Sequence, residues 1–163
     1  MLAFENVTRV FRGGAGVTDL TFAVEPGEVV ALIGLNGAGK TTLMRLALEM
    51  LRPQAGMVRV LGYPMSELPA ARWAHVGALI EVPLAYPELT VRKNLHLAAL
   101  LHGASPECAR SAIGTWRLTP VADRRFRRLS LGNRQRVGLA AAMQHDPRRS
   151  EEHTSELQSR FGI

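Results

Sequence analysis

The segment Gly34-Leu35-Asn36-Gly37-Ala38-Gly39-Lys40-Thr41 has the pattern G-x-x-x-x-G-K-[ST], a residue set suited to holding nucleotide phosphates. Its glycines let the backbone curl until successive N–H groups point at one spot, forming an anion nest. A helix starting near Lys40 would add the positive end of its dipole there. Lys40 is the candidate to reach the β- and γ-phosphates, and the Thr41 hydroxyl the candidate ligand for Mg²⁺. Asn36, Ala38 and Thr42 complete the candidate nucleotide-binding stretch. Further on, Leu129-Ser130-Leu131-Gly132-Asn133-Arg134-Gln135-Arg136 opens an apolar stretch. Ser130, the N–H groups near Gly132 and a helix N-terminus could bind a second phosphate. The plainer reading is a serine that caps a helix.

These residues need a frame, and the apolar pattern supplies one. Leu2 to Val7 and Leu20 to Val24 alternate as short strands, and Glu28 to Ile33, nearly all apolar, reads as a buried parallel strand. A helix is expected from about Thr41 to Leu51, stopped by Pro53, followed by a strand over Met57 to Leu61. Pro69 to Trp73 reads as one or two helical turns and Val76 to Ile80 as a strand. Helices are expected over Val91 to His102, over Pro106 to Trp116, and from Gly132 through Met143. Such alternation favours an α/β fold with a parallel sheet. Met44, Met50 and Met143 read as core filler.

The 163 residues suit one domain of ordinary size, and the 47% apolar fraction is enough for a core. Cys108 is the only cysteine, which excludes an intrachain disulfide and fits a reducing compartment. No apolar run is long enough to span a bilayer, and Met1-Leu2-Ala3-Phe4-Glu5 lacks the features of a signal peptide. The net charge of +6 fits either a nucleic-acid surface or a protein beside an anionic leaflet. The cluster Arg124-Arg125-Phe126-Arg127-Arg128 poses the same choice, because an aromatic among cations can stack on a base. His75, His96, His102 and His145 lack metal-ligand spacing.

From Leu2 to about Arg148 the chain resembles the nucleotide-binding subunit of ABC transporters. Ser130-Leu131-Gly132-Asn133 stands where that family keeps its signature, usually Leu-Ser-Gly-Gly-Gln, with Leu131 for the first glycine and Asn133 for the glutamine. The resemblance implies a P-loop NTPase fold of ABC type, with N-terminal antiparallel strands, a parallel core sheet and a helical subdomain. It implies ATP and Mg²⁺ as ligands, and a dimer in which each signature grips the γ-phosphate of ATP held by the other subunit. Phe11 lies at the family's adenine-stacking position, and Glu81 where the family has a glutamine that contacts Mg²⁺ or the attacking water. Glu81, with Pro83, Tyr86-Pro87, Leu89-Thr90 and Asn94-Leu95, is similar to cassettes of bacitracin- and lantibiotic-type exporters. The implied partner is a membrane-spanning permease, met by the region around Leu84 to Leu101. The implied location is cytoplasmic, at the inner face of the membrane, with no nucleic acid involved. The same family also implies positive residues before the signature, the plainer account of the arginine cluster. A soluble ABC protein acting on nucleic acid or ribosomes is the alternative.

After Arg148 the family predicts an apolar strand ending in Asp-Glu, the pair that secures Mg²⁺ and polarises water. The sequence instead reads Arg149-Ser150-Glu151-Glu152-His153-Thr154-Ser155-Glu156-Leu157-Gln158-Ser159. That string resembles the translation of a sequencing-library adapter, so residues 149–163 are expected to be a non-native, disordered tail. Residues 1–148 are then the N-terminal part of one ATP-binding domain, incomplete because the strands after the signature are missing. Glu28 to Ile33 would then lose sheet partners and expose apolar faces, and hydrolysis would be absent; a further alternative is that the chain is a non-functional assembly-artefact fragment.

Overall fold

The alternating apolar residues at the N-terminus fold into paired strands in the computed structural model, which describes residues 1–80 and 83–145. β1 (Leu2–Val10) pairs antiparallel with both β2 (Gly16–Val24) and β3 (Ala55–Val60). β3 also pairs with the short β4 (Tyr63–Pro64), giving the order β2-β1-β3-β4. β1 and β2 run further than alternation alone predicts because they close a hairpin. Val10 is in register with Gly16, and the Phe11 N–H donates to the Ala15 carbonyl at 2.8 Å. Phe4 and Val7 on β1 are buried, and Phe4 stacks on Phe22 with ring centroids 4.8 Å apart.

These strands belong to the first of two compact units, Met1–Pro69. Its helix, α1 (Lys40–Ala47), buries Leu43 and Leu46. The expected extension to Leu51 does not form. Glu49 takes a left-handed conformation (φ 56), and the N–H groups of Met50 and Leu51 return to the Arg45 carbonyl. The helix therefore closes its own C-terminus well before Pro53. Met44 and Met50 are exposed, not core, because α1 turns Leu43 and Leu46 inward instead.

Glu28 to Ile33 is not a strand. Val29 and Ile33 are 66% and 93% exposed, and no described segment offers this run a ladder. An apolar run becomes a buried parallel strand only when neighbours supply hydrogen bonds on both edges. Among the described residues the sheet is antiparallel throughout.

The second unit begins at Ala70. The expected turns at Pro69 to Trp73 appear as a 3-10 segment over Ala70–His75, but Val76 to Ile80 is irregular for the same want of partners. Three helices follow, α2 (Val91–Leu101), α3 (Pro106–Thr115) and α4 (Leu131–Met143). They share one core, with Val91, Leu95 and Ala99 of α2 fully buried against Ala112, Ile113, Val137 and Ala140. Local chemistry sets where they begin. The Thr90 hydroxyl accepts from the Lys93 N–H, and Pro106 occupies the first turn of α3, where its missing N–H costs nothing.

Candidate nucleotide site

The phosphate loop lies at the head of α1, as its spacing predicts. Gly39 is the N-cap, buried, at φ 89 and ψ 1, and a Cβ there would stand 2.8 Å from the Gly16 carbonyl oxygen. Only glycine meets both conditions. No side chain caps the helix, so the first-turn N–H groups at Lys40, Thr41 and Thr42 stay available to an anion. Ala38 donates its N–H to the Leu35 carbonyl at 3.2 Å, which folds the loop over Asn36 and Gly37. The Lys40 ammonium donates to the carbonyls of Gly34 (2.7 Å) and Leu35 (2.8 Å), fixing its charge against the loop it belongs to. The cradle thus combines free N–H donors, a helix dipole and a cation, and the residues present fit a polyphosphate.

For Mg²⁺ the described part of the loop offers the half-buried Thr41 hydroxyl. No group of three or more His, Cys, Asp or Glu side chains converges among the described residues. That donor set suits a cation held largely through nucleotide oxygens. Glu81 lies outside the described residues. Phe11 sits in the β1–β2 turn, 38% exposed, and the Arg9 guanidinium covers its ring at 5.1 Å. It is not a core residue of the strands.

In the second unit Ser130 is the N-cap of α4, and its hydroxyl accepts from the Asn133 N–H at a long 3.4 Å. Leu131 is 73% exposed, and Gly132 has open space where a Cβ would stand. The serine thus caps the helix while Leu131 and Gly132 stay open to solvent. The arginines before it have a structural task. The Phe126 and Arg127 N–H groups donate to the carbonyls of Leu89 and Pro87, and the Val91 and Arg92 N–H groups to those of Arg124 and Ala122. Arg125 and Arg127 both meet Glu88 at 3.3 Å. Phe126 is buried at 6% beneath Arg134, so it is no platform for stacking a base.

Two residues hold this unit together, Asn94 of the exporter-like run and Gly138, which motif reading passed over. Asn94 is the sole buried polar side chain among the described residues, and it organises the loop before α2. Gly138 of α4 lets Pro83 and Leu79 approach so closely that a Cβ would stand 2.8 Å and 2.9 Å from them. Asn94 is named by the exporter-like run without its packing role, and Gly138 belongs to no motif.

The ABC transporter family model matches residues 17–149, and the chain belongs to that family. It is 35% identical over 149 residues to the ABC transporter ATP-binding protein YhcH of Bacillus subtilis, covering 91% of this chain and 49% of that protein. The bacitracin transport ATP-binding protein BcrA of Enterococcus faecalis is 35% identical, with 88% of this chain and 47% of that one covered. The Nod factor export ATP-binding protein I of Paraburkholderia xenovorans is also 35% identical, with 90% and 49% covered. The chain thus spans about half the length of these relatives. Among solved structures, an ATP-binding subunit of an ABC transporter superposes with a TM-score of 0.79 at 30% identity, covering 90% of this chain and 63% of that one. A dimeric ATP-binding cassette in a post-hydrolysis state, bound to ADP and Pi, shares the fold at a TM-score of 0.78 and 22% identity, with 90% and 71% covered. The ABC-type α/β fold expected from the sequence is therefore present. No helix among the described residues is long and apolar enough to cross a membrane.

Proposed function

We propose that the chain is part of the ATP-binding subunit of an ABC transporter, coupling ATP binding and hydrolysis to export of a peptide-like antibiotic or similar amphiphile. The observation that carries this is the uncapped head of α1, where free N–H groups and the Lys40 ammonium share one loop. Relatives named for bacitracin transport and Nod factor export support the exporter reading.

In this reading Lys40 binds the β- and γ-phosphates, and Gly34, Asn36, Gly37, Ala38, Gly39 and Thr42 complete the cradle. Thr41 would hold Mg²⁺, whose chemistry would be to neutralise phosphate oxygens, and Glu81 is the second candidate ligand that the family resemblance implies. Phe11 stacks on adenine by the ring face that Arg9 leaves open. Ser130, Leu131, Gly132 and Asn133 grip the γ-phosphate of ATP in a second ATP-binding subunit. A permease meets the surface around Leu84 to Leu101, where Leu84 and Leu101 are 101% and 77% exposed beside an apolar groove lined by Leu79 and Leu97. In this reading the assembled protein sits at the inner face of the cell membrane. Residues 1–148 are the N-terminal part of one ATP-binding domain, and the Asp-Glu pair for hydrolysis belongs to its native continuation.

Titration of the full 163-residue chain with a fluorescent ATP analogue, with and without Mg²⁺, tests the reading. Saturable binding is expected, weakened about tenfold or more by Lys40→Ala, the weight of a charge-assisted hydrogen bond of ~1.5–3 kcal/mol. Phosphate release should be absent. Binding that ignores Lys40→Ala would sink the proposal.

A further inference from the structure

Apart from the phosphate loop and the signature, the second unit carries a cleft of about 440 Å³ between α2 and α3. Arg92, Lys93 and His96 line it from α2, and Pro106, Ala109, Arg110 and Ile113 from α3. Its apolar side is built from the core: Ala109 and Ile113 are 3% and 6% exposed. Its rim is cationic. Arg92 is engaged by Asp123 at 3.0 Å, and Arg110 by Glu107 one helical turn away. Among the described residues no carboxylate pairs with the Lys93 ammonium or the His96 imidazole.

Helical spacing explains why these groups gather. Lys93 and His96 stand three residues apart and Arg92 and His96 four apart, so all share one face of α2. On α3, Pro106, Ala109, Arg110 and Ile113 follow the same spacing and form the facing stripe. The single surface bridge to Glu107 holds Arg110 only weakly, so it can be recruited by a stronger anion, whereas Arg92 is held by Asp123 through two bonds, at 3.0 Å and 3.3 Å. The cleft is large enough for a small ligand and combines an apolar wall with a few convergent donors.

We propose that the α2–α3 cleft binds a phosphate ester. An ammonium, an imidazole and a planar guanidinium supply donors to several oxygens at once, which a phosphate offers and a carboxylate does not. The apolar wall of Ala109 and Ile113 accommodates the carbon stem that the ester carries. A phospholipid headgroup and a soluble phosphate ester share this chemistry. The site is independent of the nucleotide loop, which lies in the other unit.

Hydrogen exchange read by mass spectrometry on the full chain tests this, because peptides over 91–101 and 106–115 report separately from those over 34–47. The probes are glycerol 3-phosphate, dihexanoyl phosphatidylglycerol and, as a carboxylate control, hexanoate. At ten times its Kd a bound ester should slow exchange in the α2 and α3 peptides by about tenfold where exchange needs the unit to open. Lys93→Gln and His96→Gln should each reduce that protection; both side chains are exposed, so either variant should keep the fold. Slowing by both esters supports a soluble ligand, and slowing by the lipid alone supports a headgroup. The proposal is overturned if neither ester protects these peptides, if hexanoate protects them equally, or if both variants leave the protection unchanged.

Discussion

Asn94 and Tyr86 exchange a reciprocal pair of hydrogen bonds: the Tyr86 N–H donates to Asn94 Oδ1 at 2.7 Å, and Asn94 Nδ2 donates to the Tyr86 carbonyl at 3.1 Å. The same amide nitrogen reaches the carbonyls of Thr90 (3.1 Å) and Leu89 (3.3 Å). One buried side chain thus satisfies the backbone of the loop that enters α2. Asn94→Ala should leave the Tyr86 N–H unpaired and take one of two donors from each of these carbonyls, at a cost of about 1–3 kcal/mol. Urea denaturation followed by circular dichroism would measure it, and limited proteolysis should cut first between Pro83 and Thr90. An unchanged midpoint would mean that the loop finds other partners.

Gly138 has a second kind of constraint, one of volume. A methyl group there meets Pro83 and Leu79 at distances that real Cβ atoms do not show. Gly138→Val should therefore lower stability by about 1–3 kcal/mol through overpacking, despite the better helix propensity of valine over glycine. Gly132→Ala, where the space is open, should be neutral or slightly stabilising. The contrast between the two, read as denaturation midpoints, separates packing from propensity.

His102, at the end of α2, lies flat against His145 with ring centroids 3.8 Å apart and planes 5° from parallel. Burial lowers its pKa below the ordinary histidine value of 6.5. The unfolded chain then binds more protons at this residue than the folded one in the pH window between the lowered folded pKa and 6.5. The contribution of His102 to stability should be constant above pH 6.5 and fall as the pH drops from there through the lowered folded pKa. His102→Phe keeps an aromatic ring and removes the titration, so its acid limb in a thermal-denaturation series should be shallower. An identical limb would place the proton uptake elsewhere.

Ser130 should separate capping from phosphate binding. Ser130→Ala removes the contact to the Asn133 N–H, a long bond at the weak end of the capping range, so about 0.5–1 kcal/mol should be lost. ATP-analogue binding by the isolated chain should not change, because the proposed task of Ser130 is to meet nucleotide in a second subunit. A large loss of binding in the monomer would contradict that assignment.

Long-read sequencing of the source DNA across the codon for Arg148 is expected to run on into an apolar strand ending Asp-Glu. Native DNA that encodes Arg149 to Ile163 would refute the adapter reading.

What was legible in the sequence is what short-range chemistry decides. A loop that needs glycine at left-handed positions, as at Gly37 and Gly39, is written in residue type, and so is a helix opened by Thr90, Pro106 or Ser130. The motif therefore lies where its spacing placed it, and the three later helices match their expected bounds to within a residue or two. Glu28 to Ile33 stands exposed, as expected once its sheet partners are missing, and shows why local composition alone does not decide a strand. Its composition suits a buried strand, yet a strand is a relation between distant segments, and without a ladder the same residues stand exposed. Phe11 and Phe126 teach the same lesson in opposite directions. Both could stack on a base by type, but one is open to solvent beside Arg9 and the other is sealed under Arg134. The amide network of Asn94, the close approach at Gly138 and the cationic cleft between α2 and α3 arise only when helices and loops meet. Those meetings are set by packing of side chains far apart in the chain, which no local pattern encodes.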